Sequence, residues 1–144
     1  MLTRPSDKPD AKTAAAPETA PGPDAAGTEA SRKMAIKLAR RHLKNKDYDR
    51  ARLALVGALA IRDSSKLRVL LSRAYEEDGQ PARAAEQMKK AAEKEKDVAW
   101  YQLKLRRLYL KAEDKAEACV AFKRARKIEP TYVPARNLAK KHCK

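Results

Sequence analysis

The sequence predicts an all-α protein: three antiparallel helix hairpins set in series as an α-solenoid, followed by a capping helix. Three observations carry this. Apolar residues recur at helical spacing through most of the chain. Their pattern repeats, with Ala51, Ala84 and Ala118 spaced 33 and 34 residues apart. The breaks between periodic stretches hold turn and cap residues, most plainly Asp78-Gly79-Gln80-Pro81. Gly79 takes a left-handed backbone at little cost, and Pro81 suits a helix's first turn, where no amide donor is missed.

The repeat extends around each anchor alanine. Four residues on stand Leu55, Met88 and Phe122, and three further Ala58, Ala91 and Ala125. Thirteen residues before the anchors stand Leu38, Leu71 and Leu105, with His42, Tyr75 and Tyr109 four beyond those. Pro130 closes the third unit. This pattern, from Arg32 to Pro130, resembles the tetratricopeptide repeat (TPR) family. Its unit is a 34-residue helix–turn–helix with a leucine, a small residue and a tyrosine, then an alanine, an aromatic and a late proline. The resemblance implies a right-handed solenoid whose first helices line a concave groove.

The departures are specific. The signature tryptophan is replaced by Ala35 and Arg68, and Trp100 lies two residues from its expected place. The late proline gives way to Ser64 and Asp97. The small position is Ala39, then Ser72, then Arg106. Arg106 must swing its stem aside, or the third hairpin opens.

Residues 1–30 read as a disordered Pro/Ala-rich tail or linker. They hold five of the eight prolines and too little apolar surface to offset ordering entropy. The repeat domain is expected over 31–143. Its helices are expected from Ser31 to Lys44, Tyr48 to Ile61, Ser65 to Glu77, Pro81 to Lys94, Val98 to Ala112 and up to Ile128. Asp47, Asp63-Ser64, Asp97 and Asp114 supply N-caps, the last with Glu117 as a capping box. Gly57, inside the second helix, predicts a close packing contact there. Thr131 and Pro134 open a seventh helix, Val133 to His142, resembling the family's extra helix that shields the last repeat.

The formal charge is +15, of which the first 30 residues carry −2 and the remainder +17. The basicity belongs to the folded part. It fits an acidic partner, whether a peptide or protein, a nucleic acid or an anionic membrane; it equally fits a solvated surface. No apolar run reaches the roughly 20 residues that span a bilayer. The N-terminus lacks an apolar signal core, so a cytoplasmic location is the expectation. Cys119 reads as a half-buried structural thiol and Cys143 as a residue at a fraying end; their spacing matches no metal or disulfide framework.

No catalytic constellation appears, so the chain is read as a non-enzyme. His42 stands where the other units have tyrosine and reads as structural; His142 lacks companion ligands. There is no Gly-rich phosphate loop, and no cofactor or metal is expected. What stands out is a basic row. Arg40, Arg73 and Arg107 follow the small position in each unit, which the resemblance turns into the groove. By the same alignment Lys33, Lys66 and Trp100 face the groove near the helix starts, with Lys37 and Lys104 one turn later. A carboxylate between two stacked arginines pairs with both. Trp100 reads either as an apolar or cation–π anchor or as a core residue.

One subgroup of the family clamps a C-terminal carboxylate with two lysines, two asparagines and a basic residue. The matching places here are Ile36, Arg40, Leu70, Trp100 and Lys104, which lack the asparagines, so that clamp is not expected. The leading reading is a protein–protein interaction scaffold that takes an acidic peptide or protein in a basic groove. Nucleic-acid binding is the alternative, against which stands the scarcity of exposed aromatics for base stacking. Self-association is the third reading.

Overall fold

Six helices follow one another: α1 (Pro21–Lys44), α2 (Tyr48–Ile61), α3 (Ser65–Glu77), α4 (Pro81–Lys94), α5 (Ala99–Lys111) and α6 (Lys115–Ile128). The computed structural model describes residues 21–131 and residue 143. Among the described residues there is no strand. The expected seventh helix and residues 1–20 lie outside the described residues. The helices pair as α1/α2, α3/α4 and α5/α6, and the hairpins stack through α2 on α3 and α4 on α5, with α1 also touching α3.

The anchor alanines are equivalent. Ala51, Ala84 and Ala118 are each fully buried. Each donates its amide to the residue capping its helix: Ala51 to Asp47 O (3.1 Å), Ala84 to Gln80 O (3.0 Å), Ala118 to Asp114 O (3.1 Å). Leu55, Met88 and Phe122 fill the same layer behind them, and all are buried. A methyl group is all the space between paired helices allows, so alanine sets their approach.

The three hairpin turns share one device. Lys46, Gly79 and Glu113 have φ of 60°, 76° and 62°. Asp47 N donates to His42 O (2.8 Å), Gln80 N to Tyr75 O (2.8 Å) and Asp114 N to Tyr109 O (2.7 Å). With Lys46 N, Gly79 N and Glu113 N bonding to the residues three back, each is a Schellman motif. Only the middle turn spends a glycine on it. Asp47, Ser64 and Asp114 cap α2, α3 and α6 through their side chains.

The core is two buried clusters bridged by Tyr75. One cluster joins α1, α2 and α3 around Leu55, Leu67 and Leu71. A second joins α4, α5 and α6 around Met88, Leu105 and Leu108. Tyr75 packs against both. Its ring also lies under the Arg52 guanidinium, 5.4 Å away, while Arg52 Nη1 donates to Asp78 Oδ2 at 2.7 Å. That contact latches the first hairpin to the second.

Five expectations change. α1 begins at Pro21 rather than Ser31, inside the stretch read as tail. Pro21 and Pro23 fall in its first turn, where missing donors cost nothing, and the alanines that follow favour helix. α5 starts at Ala99 with Val98 as its N-cap, which makes no side-chain hydrogen bond, so Asp97 is not its cap. Gly57 is not in a close contact: it is exposed, and a Cβ placed there would meet nothing within 4 Å. The third hairpin is closed, with α5 lying along α6 as fully as α3 along α4. Arg106 is buried there, 9% exposed, and its Nε has no hydrogen-bond partner among the described residues. Finally, Cys119 is not a free thiol but is disulfide-bonded to Cys143, their Cα atoms 5.3 Å apart. That separation lies within bridging range. Sequence spacing is silent about it, because the pairing is a tertiary contact between residues 24 apart.

Candidate functional site

The helices α1, α3 and α5 carry the predicted groove residues. On α1, Lys33, Lys37 and Arg40 are three exposed cations at successive turns. The structure brings them together with Lys66 of α3 around a cavity of about 330 Å³ whose floor is Ile36. None of these four cations has a carboxylate partner among the described residues. Ile36 is 9% exposed, so the basin has an apolar base under a basic rim.

A second basin of about 230 Å³ lies between α3 and α5, lined by Leu70, Arg73, Glu76, Met88, Trp100 and Lys104 among others. Lys66, Leu70 and Arg73 follow one another at helical spacing along α3, so both basins border one stripe of that helix. Trp100 is 43% exposed, which removes it from the core. Its ring meets Tyr101 edge-on at 5.6 Å, and Lys104 Nζ lies over it at 5.4 Å. Val69 and Met88 add apolar wall beneath.

This second basin is already partly neutralised. Glu76 accepts from Arg107 Nη2 through both carboxylate oxygens at 3.0 Å, and from Lys111 Nζ at 2.7 Å. Its side chain is only 12% exposed. Burial pushes its pKa up, but the Lys111 hydrogen bond and the Arg107, Lys111 and Lys104 charges outweigh that and hold it below the usual glutamate value. Burial and the Arg107 charge in turn pull the Lys104 ammonium below the ordinary lysine value, against the opposing pull of Glu76. Arg73 Nε donates to Glu77 Oε2 at 2.7 Å, an exposed pair within one helix.

The arginine row is therefore uneven. Arg107 is held by a half-buried carboxylate on the neighbouring hairpin, Arg73 by its own helix, and Arg40 by no carboxylate among the described residues. Glu76, at the centre of this cluster, is not among the residues singled out from the sequence. The signal that could have found it is its spacing: Glu76 lies three residues after Arg73, on the stripe that carries the row. A further cavity of about 490 Å³ lies elsewhere, between α4, α5 and α6, and shares none of the predicted groove residues. Among the described residues no group of three His, Cys, Asp or Glu side chains is placed to hold a metal ion. No helix among them is long and apolar enough to cross a membrane.

No family model and no curated protein matches the chain. Solved structures do. The type III secretion chaperone SycD of Yersinia enterocolitica, in complex with a peptide of the translocator YopD, aligns at 14% identity with a TM-score of 0.63, covering 76% of this chain and 85% of that one. The TPR domain of Arabidopsis OM64 aligns at 19% identity and TM-score 0.66, covering 81% and 96%. The first TPR of Spaghetti (RPAP3), bound to the HSP90 peptide SRMEEVD, aligns at 18% identity and TM-score 0.62, covering 74% and 88%. The chain has the TPR fold, an all-helical solenoid of stacked hairpins.

Proposed function

We propose that the protein is a non-enzymatic scaffold whose groove takes an extended acidic segment of a partner protein, seated first in the α1–α3 basin. The observation that carries this is the set Lys33, Lys37, Arg40 and Lys66 around Ile36, four cations with no carboxylate partner among the described residues. A segment with two or more carboxylates flanking an apolar side chain matches that chemistry. The carboxylates pair with the rim, and the apolar group lies on Ile36. Trp100 and Lys104 offer a second apolar and cationic contact further along.

Two of the structural neighbours are solved with a peptide, and the peptide SRMEEVD is itself acidic. Peptide capture on this fold therefore has precedent, and the acidic preference proposed here rests on this chain's own charge pattern. The cytoplasm is the proposed setting. There Cys119 and Cys143 would be held largely reduced, whereas the oxidised pair belongs to more oxidising surroundings.

Fluorescence of Trp100, the chain's one tryptophan, offers a direct readout. An acidic peptide long enough to reach both basins, with one apolar residue for Ile36 and a second for Trp100, should shift Trp100 emission and bind more weakly as salt rises, because rim charges are screened over about 8 Å at physiological ionic strength. An oligonucleotide of equal charge binding more tightly, with a steep log–log salt slope, would replace the peptide reading with the nucleic-acid one.

A further inference from the structure

The seam between the second and third hairpins is filled differently from the seam between the first and second. Arg68 on α3 and Gln102 on α5 stand 34 residues apart, both at the place of the repeat's signature tryptophan. Arg68 spans its seam. Its Nε donates to Asp63 Oδ1 at 3.0 Å and its Nη1 to Gln87 Oε1 at 2.8 Å. In the next seam both long side chains are replaced by shorter ones. Gln102 takes the place of the arginine, and Ala121, 34 residues after Gln87, that of the glutamine. Where that reach is missing, the cavity of about 490 Å³ opens beside Gln102.

Its walls sort by chemistry. Ala92 and Leu105 are buried and, with half-buried Ile128, make an apolar base. Gln102 is 7% exposed, and its Oε1 is buried with no hydrogen-bond partner among the described residues. Buried polar atoms are nearly always paired, so this amide is short of one bond. Its terminal torsion is soft, and a small rotation turns it toward a guest. Lys89, Glu93 and Lys96 on α4 and Arg124 and Lys127 on α6 are exposed around the mouth. None of the four cations forms an ion pair among the described residues. Four positive charges against one negative thus ring an apolar pit.

We propose that this cavity binds a small amphipathic anion. Its apolar body lies on Ala92, Leu105 and Ile128, its single acidic group meets the lysines and Arg124 at the rim, and a hydroxyl or N–H donor reaches the Gln102 amide. The volume is that of small-molecule sites, about 300–1,000 Å³. A bare inorganic anion would leave the apolar walls unused. An uncharged hydrocarbon would use none of the four cations and leave the amide unpaired. The site is separate from the groove: Gln102 and Leu105 lie about 150° round α5 from Trp100 and Lys104. Cys119, which holds Cys143, lies about 130° round α6 from Arg124, Lys127 and Ile128. Cys143 is therefore tied to another side of α6 from the mouth.

Anilinonaphthalene sulfonate, a fused-ring body with one sulfonate and one N–H, is the probe. Titrated into the full chain and followed by its fluorescence and by calorimetry, it should bind one per chain with a Kd of about 10–100 µM. Phenylnaphthylamine, the same rings without the sulfonate, should bind about tenfold more weakly or worse. Arg124→Glu plus Lys127→Glu should weaken the sulfonate about tenfold or more with helicity unchanged, since both side chains are exposed. Arg83→Glu plus Lys90→Glu, the same charge change on another face of α4, should leave its affinity within about twofold. Gln102→Trp, which gives this seam the family's residue, should fill the cavity and abolish binding. If that variant loses helix, the rim pair decides alone. The proposal is overturned by a sulfonate that does not bind, or that binds the rim pair or a folded Gln102→Trp as tightly as wild type. Phenylnaphthylamine binding as tightly as the sulfonate, or equal losses in the two charge-reversed pairs, would overturn it as well.

Discussion

The Glu76 carboxylate on α3 grips Arg107 on α5 with both oxygens at 3.0 Å, across the seam between the second and third hairpins. An internal acid thus lies in the Trp100–Lys104 basin, where the second ligand contact is proposed. Replacing it should separate stability from binding. Glu76→Gln should cost about 1–3 kcal/mol, because Arg107 and Lys111 lose a charged acceptor. It should also tighten binding of an acidic peptide by roughly tenfold, as both cations are released to the ligand. The wild-type contribution has a definite pH sense. Since the folded pKa of Glu76 lies below its ordinary 4.5, the stabilisation is full above that value and fades as pH falls beneath it. Urea melts of wild type and variant should converge in acid.

Lys46 and Glu113 hold the backbone conformation for which the middle turn uses Gly79. A non-glycine residue there is strained by about 1–2 kcal/mol, offset in part by the freer unfolded chain that glycine brings. Lys46→Gly and Glu113→Gly should each stabilise by about 0.5–1 kcal/mol in denaturant melts, and Gly79→Ala should destabilise by about 1 kcal/mol.

Ala84 is fully buried, and its carbonyl accepts the Ser72 hydroxyl at 2.8 Å. Ala84→Arg should unfold the middle hairpin at a cost of 3 kcal/mol or more, through overpacking and a buried charge without a partner. Circular dichroism should show loss of helix. A variant as stable as wild type would mean that the alanine register does not set the helix spacing.

Cys119 is bonded to Cys143 across 24 residues of chain. Closing a loop of that length restricts the unfolded chain by about 3 kcal/mol on the chain-entropy model. Cys143→Ser, or a thiol reductant, should lower the melting temperature of the oxidised protein; the variant should then be indifferent to reductant.

Much of the fold was legible because buried alanines at a fixed phase are a tertiary constraint written into the chain. Ala51, Ala84 and Ala118 could serve only as close-contact residues, and they do. Gly79, Asp47, Ser64 and Asp114 were legible because cap chemistry is local. What escaped depended on distant neighbours. Gly57 is read from sequence as a packing glycine, yet no described residue comes within 4 Å of a Cβ placed there. The Cys119–Cys143 pairing is a tertiary contact that local spacing does not encode. Arg106 breaks the small-residue rule, but a long stem can be buried where a short one is usual. In the site, composition and phase pointed to Lys33, Lys37, Arg40 and Lys66, which the fold brings together. The i, i+4 spacing of Arg73 and Glu77 is itself a legible pair; the grip of Glu76 on Arg107 across two hairpins needs the fold.

The α1–α3 basin is proposed as a seat for carboxylates, and its affinity for an acidic peptide is the sharpest check on that role. Isothermal titration with wild type, with Lys33→Ala plus Arg40→Ala, and with Arg73→Ala should be read beside circular dichroism. Helicity should be unchanged throughout, with affinity falling roughly tenfold or more for the α1 pair and about twofold for Arg73→Ala, whose guanidinium Glu77 already shares. Equal affinity for wild type and the α1 pair would contradict the carboxylate seat.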